Sequence, residues 1–173
     1  MTAAPGEEIV DLIDERDEVI GRATRSRVRS EVLLHREVAA MVRNRRGELY
    51  VHRRTQTKDI HPGLYDMFVA GVVSSGEGYR EAIRRELSEE LAIRASDPGL
   101  LFMHRYHGSD NNFRAAIFEV EWNGPIRQQP EEIAWGAFVS GPRMRTLLER
   151  WTFVPDGLEV YARYLEQCAP RSP

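Results

Sequence analysis

One cysteine, Cys168, stands in a chain of 173 residues. A disulfide framework and a multi-cysteine zinc site are thereby excluded, and the lone thiol reads as incidental. A basic excess is also missing. The formal net charge is −3, whereas a dedicated nucleic-acid binder carries a surplus of lysine and arginine. An anionic ligand would have to be met by local basic clusters. Long hydrophobic runs are absent: apolar-plus-glycine stretches such as Met67 to Val73 are far too short to cross a bilayer. Residues 1–8 hold no apolar run of the kind a secretory signal needs, and no internal repeat is visible. The expectation is a cytoplasmic protein with neither membrane nor nucleic acid as partner.

What remains is ordinary globular material, 42% hydrophobic and 29% charged, in a length that suits a single domain spanning residues 1–173. Residues 1–7 read as a loose terminus. Ile9–Ile13 and Val19–Ile20 predict a strand, a turn near Asp14–Asp17 and a second strand ending at Gly21. A short helix then falls within Thr24–Leu34, capped by Thr24 or Ser26. This hairpin and helix, about residues 8–34, form an N-terminal extension. His35–Val42 and Glu48–Arg53 predict strands around the turn Asn44–Gly47, whose asparagine and glycine tolerate positive φ. Thr55–Pro62 is a polar loop, and Tyr65–Val73 reads as one continuous apolar strand. Further strands are expected at Leu100–Tyr106, Asn112–Trp122 and Gly136–Val139, and helices at Met144–Trp151 and Leu158–Cys168, before a frayed tail. The class is α/β, a mixed sheet between helices.

The stretch from Gly71 to Ile93, GVVSSGEGYREAIRRELSEELAI, carries the strongest chemical signal. Its first part is a strand end and a Gly/Ser loop. Its second part is a helix with Ile83, Leu87 and Leu91 on one apolar stripe. Glu86, Glu89 and Glu90 crowd one flank of that helix. Like charges at i,i+4 cost about 0.2–0.5 kcal/mol per pair. A hard divalent cation would turn the repulsion into attraction. The plainer alternative is a solvated helix laced by ion pairs, Glu81 with Arg85 and Arg85 with Glu89.

The spacing resembles the signature of the Nudix hydrolases: glycine, five residues, glutamate, seven residues, then Arg-Glu-aliphatic-any-Glu-Glu-any-Gly-aliphatic. Gly71, Glu77, Arg85, Glu86, Leu87, Glu89, Glu90 and Ile93 fit it, and Ala92 departs from it, standing where the family has glycine. The resemblance implies a Nudix-type α/β/α sandwich with a mixed β-sheet, Mg²⁺ (or Mn²⁺) as cofactor, and hydrolysis of a phosphoanhydride in a small-molecule diphosphate. It further implies Glu86, Glu89 and Glu90 as metal ligands, completed by backbone carbonyls near Ala70 and Gly71. Arg85 would orient the glutamates, and Glu77 would pair with Arg85 or hold the loop. Homodimers are frequent in the family.

The N-terminal hairpin and the segment KDIHPGLYD are similar to the branch akin to isopentenyl-diphosphate isomerase. Those isomerases, however, use a cysteine in the strand before the signature, and YDMFVAGV has none. A third possibility is a silent Nudix domain that binds nucleotide without cleaving it.

Outside the signature, Arg53, Arg54 and Lys58 gather positive charge at a strand end and loop, as diphosphates require. The bland alternative is an ordinary basic loop. Glu131 and Glu132 follow a turn, where some relatives place a general base or an extra metal ligand; Glu132 is the candidate catalytic carboxylate, and a solvated loop is the plainer alternative. Among the histidines, His104 and His107 would face opposite sides of a strand and so would not share an ion. His52 and His61 flank the basic loop and are second-rank substrate contacts. Alanine's helix propensity suggests that the helix runs on through Ala92 with ordinary dihedrals to a stop at residues 94–98. On that reading, Ala92→Gly would cost a little stability.

Overall fold

The computed structural model describes residues 6–95 and 97–167. Residues 1–5, Ser96, Cys168 and the C-terminal tail lie outside them, with the expectations that fell there.

In chain order the elements are β1 (Ile9–Ile13), β2 (Val19–Thr24), α1 (Arg25–Ser30), β3 (His35–Arg43), β4 (Leu49–Arg54), β5 (Tyr65–Asp66), β6 (Val69–Val72) and α2 (Tyr79–Leu91). They continue with β7 (Gly99–His107), β8 (Asn112–Glu121), β9 (Ile133–Val139), α3 (Gly141–Arg150) and α4 (Pro155–Gln167). Strand β3 is the hub. It runs parallel to β8 along its whole length, from His35 beside Phe113 to Arg43 beside Glu121. On its other side it is antiparallel to β6, with Glu37 beside Val72 and Ala40 beside Val69. Strand β4 leaves β3 after a single pairing, Arg43 with Leu49, and pairs instead with β9.

Alternation along β3 produces the two covered faces. Val38, Ala40 and Val42 pack with Ile83, Leu87 and Leu91 of α2. Ala39 and Met41 pack with Met144 and Leu147 of α3 and with Val160 and Tyr164 of α4. A mixed sheet between helical layers is therefore present, as expected. The apolar stripe of α2 is fully buried, and each such side chain contributes about 1.5–3 kcal/mol. The N-terminal extension is tied in by Val10, Ala23 and Val28 against Val72 of β6, and by Leu12 pairing with His35.

Three expectations need correction. Tyr65–Val73 is not one strand. Asp66 Oδ1 accepts hydrogen bonds from the backbone N–H groups of Met67 at 2.7 Å and Phe68 at 3.0 Å. Such a side chain competes with the ladder, so β5 pairs with β4 while β6 crosses to β3. The pairing of Glu81 with Arg85 is replaced by a cap. Glu81 accepts the Gly78 N–H at 3.0 Å, satisfying an orphan donor of the first turn.

The third correction is Ala92. It ends α2 in the left-handed region, at φ 56° and ψ 29°. Its N–H donates to Ser88 O and the Ile93 N–H donates to Leu87 O, a reversal that drops Ile93 into the core. Burying Ile93 outweighs the roughly 1–2 kcal/mol that an L-residue loses in this conformation. The expected effect of Ala92→Gly therefore changes sign. Urea unfolding should show a gain of about 0.5–1 kcal/mol, the relieved strain less the entropy of glycine. A loss of stability would contradict this account.

Candidate active site

The site forms where β6 meets α2. Gly71 lies on β6 directly under the Glu86 carboxylate. A Cβ on Gly71 would sit 2.0 Å from Glu86 Oε1. Glycine is required because a carboxylate occupies the volume of its missing side chain. Arg85 organises the surroundings. Its Nε and Nη2 donate to the two oxygens of Glu77 at 3.0 and 2.9 Å, Nη1 donates to Glu86 Oε1 at 2.6 Å, and Nη2 also donates to Val72 O at 3.1 Å. The pairing of Glu77 with Arg85 and the positioning of Glu86 by Arg85 are thus both present. Glu89 sits at the rim, 3.4 Å from Arg85.

Glu90 is buried, Glu86 is largely covered with its side chain 12% exposed, and Glu89 is half exposed. Burial pushes the Glu86 carboxyl up to about 7, against the pull of Arg85. Burial, with the charge of Glu86 adding to it, also raises Glu90, against Lys58 and Arg54. Both folded-state values lie above the ordinary carboxylate value, so the folded chain holds protons that the unfolded chain releases. In metal-free protein, stability from these groups is present below about pH 4.5 and is lost as pH rises through 7. Glu90→Gln removes part of that loss. Its melting temperature relative to the unmodified protein should climb between pH 5 and pH 8 in chelator. A flat difference would show that the carboxylates are solvated.

The carboxylates line a pocket of about 840 Å³ of empty space, open mouth included, together with Glu8, Arg25, Lys58, Ser74, Gln129 and Glu132. Adjoining it is a deeper cavity of about 710 Å³ on the same measure. Its lining is apolar at Phe68, Phe113, Ile117 and Val160, and it carries Arg25, Arg29, Arg54 and Lys58 together with Glu37, Asp59, Asp66 and Asp156. Arg25, Lys58, Ala70 and Gly71 line both spaces and form the passage between them.

Several expected residues meet here. Lys58 is ion-paired with Glu132, which fixes both at the pocket wall. Arg54 donates to Ile60 O from Nε at 3.3 Å and from Nη2 at 2.9 Å, pinning the loop that follows β4. Arg53 does not join them. On β4 it points to the other face, where it donates to Gly63 O at 3.0 Å and lies 5.7 Å from the Tyr65 ring. Glu131 is exposed, while Glu132 faces the site. His61 lines the deep cavity and His52 lines neither space. Burial pushes the His52 imidazole down to about 3.

Sequence reasoning missed Glu8, whose carboxylate accepts a hydrogen bond from Ser74 Oγ at 2.5 Å. It also missed Arg25 and Arg29, and the buried Asp66 and Glu37. Burial raises Asp66 to about 7. Burial alone would raise Glu37 too, but the hydrogen bond with His35 and the charge of Arg29 hold it down at about 2.

The donor set is all oxygen, which suits a hard cation such as Mg²⁺ in kind. Among the described residues, no three acidic or histidine side chains close into a cage as they stand. The Glu86 carboxylate is turned onto Gly71 and Arg85 instead.

The chain matches the NUDIX domain family over residues 33–168. It belongs to the Nudix family. A Nudix hydrolase of Streptomyces coelicolor is 43% identical over 159 residues, covering 91% of this chain and 88% of that protein. Among solved structures, DR0079 of Deinococcus radiodurans superposes with a TM-score of 0.75 at 28% identity, over 90% of this chain and 98% of the other. A bifunctional NMN adenylyltransferase/ADP-ribose pyrophosphatase of Francisella tularensis, complexed with AMP and a manganese ion, shares the fold. Its TM-score is 0.63 at 16% identity, over 78% of this chain and 42% of that one. As a Nudix hydrolase the protein acts on phosphoanhydrides. No helix among the described residues is long and apolar enough to cross a membrane.

Proposed function

We propose that this Nudix hydrolase is Mg²⁺-dependent, with Mn²⁺ able to substitute, and cleaves the diphosphate of a nucleoside-diphosphate-linked or related small molecule. The observation that carries the reading is the junction at Gly71. The buried Glu90 and the largely covered Glu86 meet at this point a cavity where Arg25, Arg29, Arg54 and Lys58 stand among Glu37, Asp59, Asp66 and Asp156, so a divalent metal would answer the paired carboxylates of the pocket and a diphosphate the cations beside it. The Mn²⁺ and AMP held by the Francisella neighbour agree with it.

Glu86 and Glu90 would hold the cation, with Glu89 at the rim and the carbonyl groups near Gly71 as further donors. When bound, it supplies polarisation of phosphoryl oxygens and acidifies coordinated water. Arg54 and Lys58 would donate to phosphate oxygens, Lys58 while keeping its ion pair with Glu132. Lys58 also holds Glu132 beside the pocket, and this carboxylate would accept a proton from the attacking water. Arg85 is a positioning residue, acting through Glu86.

A panel of nucleoside-diphosphate-linked substrates, assayed for product with Mg²⁺ and with chelator, tests the reading. Hydrolysis of at least one member is expected with the metal, and none with chelator. Turnover undiminished in chelator would overturn it. The isomerase alternative predicts dimethylallyl diphosphate from isopentenyl diphosphate. With no cysteine in Tyr65–Val72, none is expected. Nucleotide that binds with Mg²⁺ yet stays intact would favour a silent domain.

A further inference from the structure

The passage between the carboxylate pocket and the deep cavity is flanked by two cations that differ in how fully they are engaged. Lys58 is neutralised by Glu132. Arg25 has only long ion pairs, 3.6 Å to Glu8 and 3.7 Å to Asp59. Its Nε is buried and has no hydrogen-bond partner. Of the other two cations of the cavity wall, Arg54 donates to Ile60 O, and Arg29 lies 3.3 Å from the buried Glu37, its Nε and Nη1 also without hydrogen-bond partners. Of the two cations that flank the passage, Arg25 is therefore the less fully engaged. It is also delivered from α1, which precedes the stretch matched by the family at residue 33.

From this we infer that the N-terminal extension completes the active site. Arg25 is a diphosphate-binding residue that holds the phosphate on the deep-cavity side of the passage. The inference rests on the proposed action on diphosphates and adds how the ligand lies. One phosphate faces the Glu86 and Glu90 pocket, the other sits under Arg25, and the attached group enters the apolar cavity. An arginine suits this position because its fork presents donors to two phosphate oxygens at once. Glu8 and Asp59, at long range on either side, hold the guanidinium over the passage without consuming its donors. Arg29 of the same helix also lines the deep cavity, whereas Arg27 pairs with Glu31 on the exposed side, at 2.8 Å.

Isothermal titration of methylenediphosphonate, an uncleavable diphosphate, into Mg²⁺-loaded protein provides the test, with inorganic phosphate as reference. Arg25→Ala should weaken diphosphonate binding at least tenfold while changing phosphate affinity much less. Arg25→Lys should recover part of the loss, and Arg27→Ala, on the outer face of α1, should behave as the unmodified protein. Melting temperatures measured on the same samples show whether each variant is folded. Diphosphonate binding that is equal in the Arg25→Ala and unmodified proteins, or absent from both, would overturn the inference. Hydrolysis of the substrate panel with an unchanged KM in Arg25→Ala would sink the role of Arg25 and leave the hydrolase reading standing. Arg25-dependent binding without hydrolysis would do the reverse.

Discussion

Replacing Glu90 by glutamine is expected to reduce Mg²⁺-dependent hydrolysis at least about a hundredfold without unfolding the protein. A bound metal contributes several kcal/mol to a phosphoryl transition state, and each 1.4 kcal/mol or so is a factor of ten. Glutamine keeps the volume of the side chain but removes its charge and an anionic ligand. Glu90 is buried at the wall shared with Lys58 and Glu132. The fold should tolerate the change, because burial already disfavours the carboxylate in metal-free protein. Steady-state kinetics and circular dichroism on the same preparation check both halves. A variant that keeps its rate, or one that unfolds while its specific activity survives, would restore the alternative of a merely solvated, ion-paired helix.

The second large effect is expected from the smallest change in the site, Gly71→Ala. The added methyl would lie 2.0 Å from Glu86 Oε1 and 2.1 Å from its Cδ, so the carboxylate must leave its position. Only the flexible end of a side chain has to move, and the stability cost should stay near 1–3 kcal/mol, as for ordinary overpacking. Activity should fall as far as in Glu86→Gln, about a hundredfold or more. In the double variant the two losses should not add, because both remove the same carboxylate from the same place. Full activity in Gly71→Ala would mean that the contact between Glu86 and Gly71 has no part in the chemistry.

Much of this site was readable from the chain because its information is local. The spacing from Gly71 through Glu77 to Glu90 fixes a strand end, a loop and one helical face. The four-residue recurrence of Ile83, Leu87 and Leu91 sets which side of that helix is buried. What escaped was decided at a distance. Ala92 follows propensity in isolation, but here the burial of Ile93 overrides it. The break after Asp66 comes from a side-chain hydrogen bond that an apolar run does not advertise. Arg25 and Glu8 lie far along the chain from the signature, and only the sheet brings them to Gly71. Arg53 and Arg54 were separable in principle, since consecutive strand residues face opposite sides. Both were nonetheless expected at the substrate, and of the two only Arg54 lines the cavity.

Manganese binding measured by electron paramagnetic resonance, counting free Mn²⁺ as protein is titrated, tests the central claim most directly. The account predicts a site displaced by Mg²⁺, tighter at pH 8 than at pH 6 because protons compete for Glu86 and Glu90, and lost in Glu90→Gln. Free Mn²⁺ that is unaffected by the protein, or bound with equal affinity by Glu90→Gln, would contradict it.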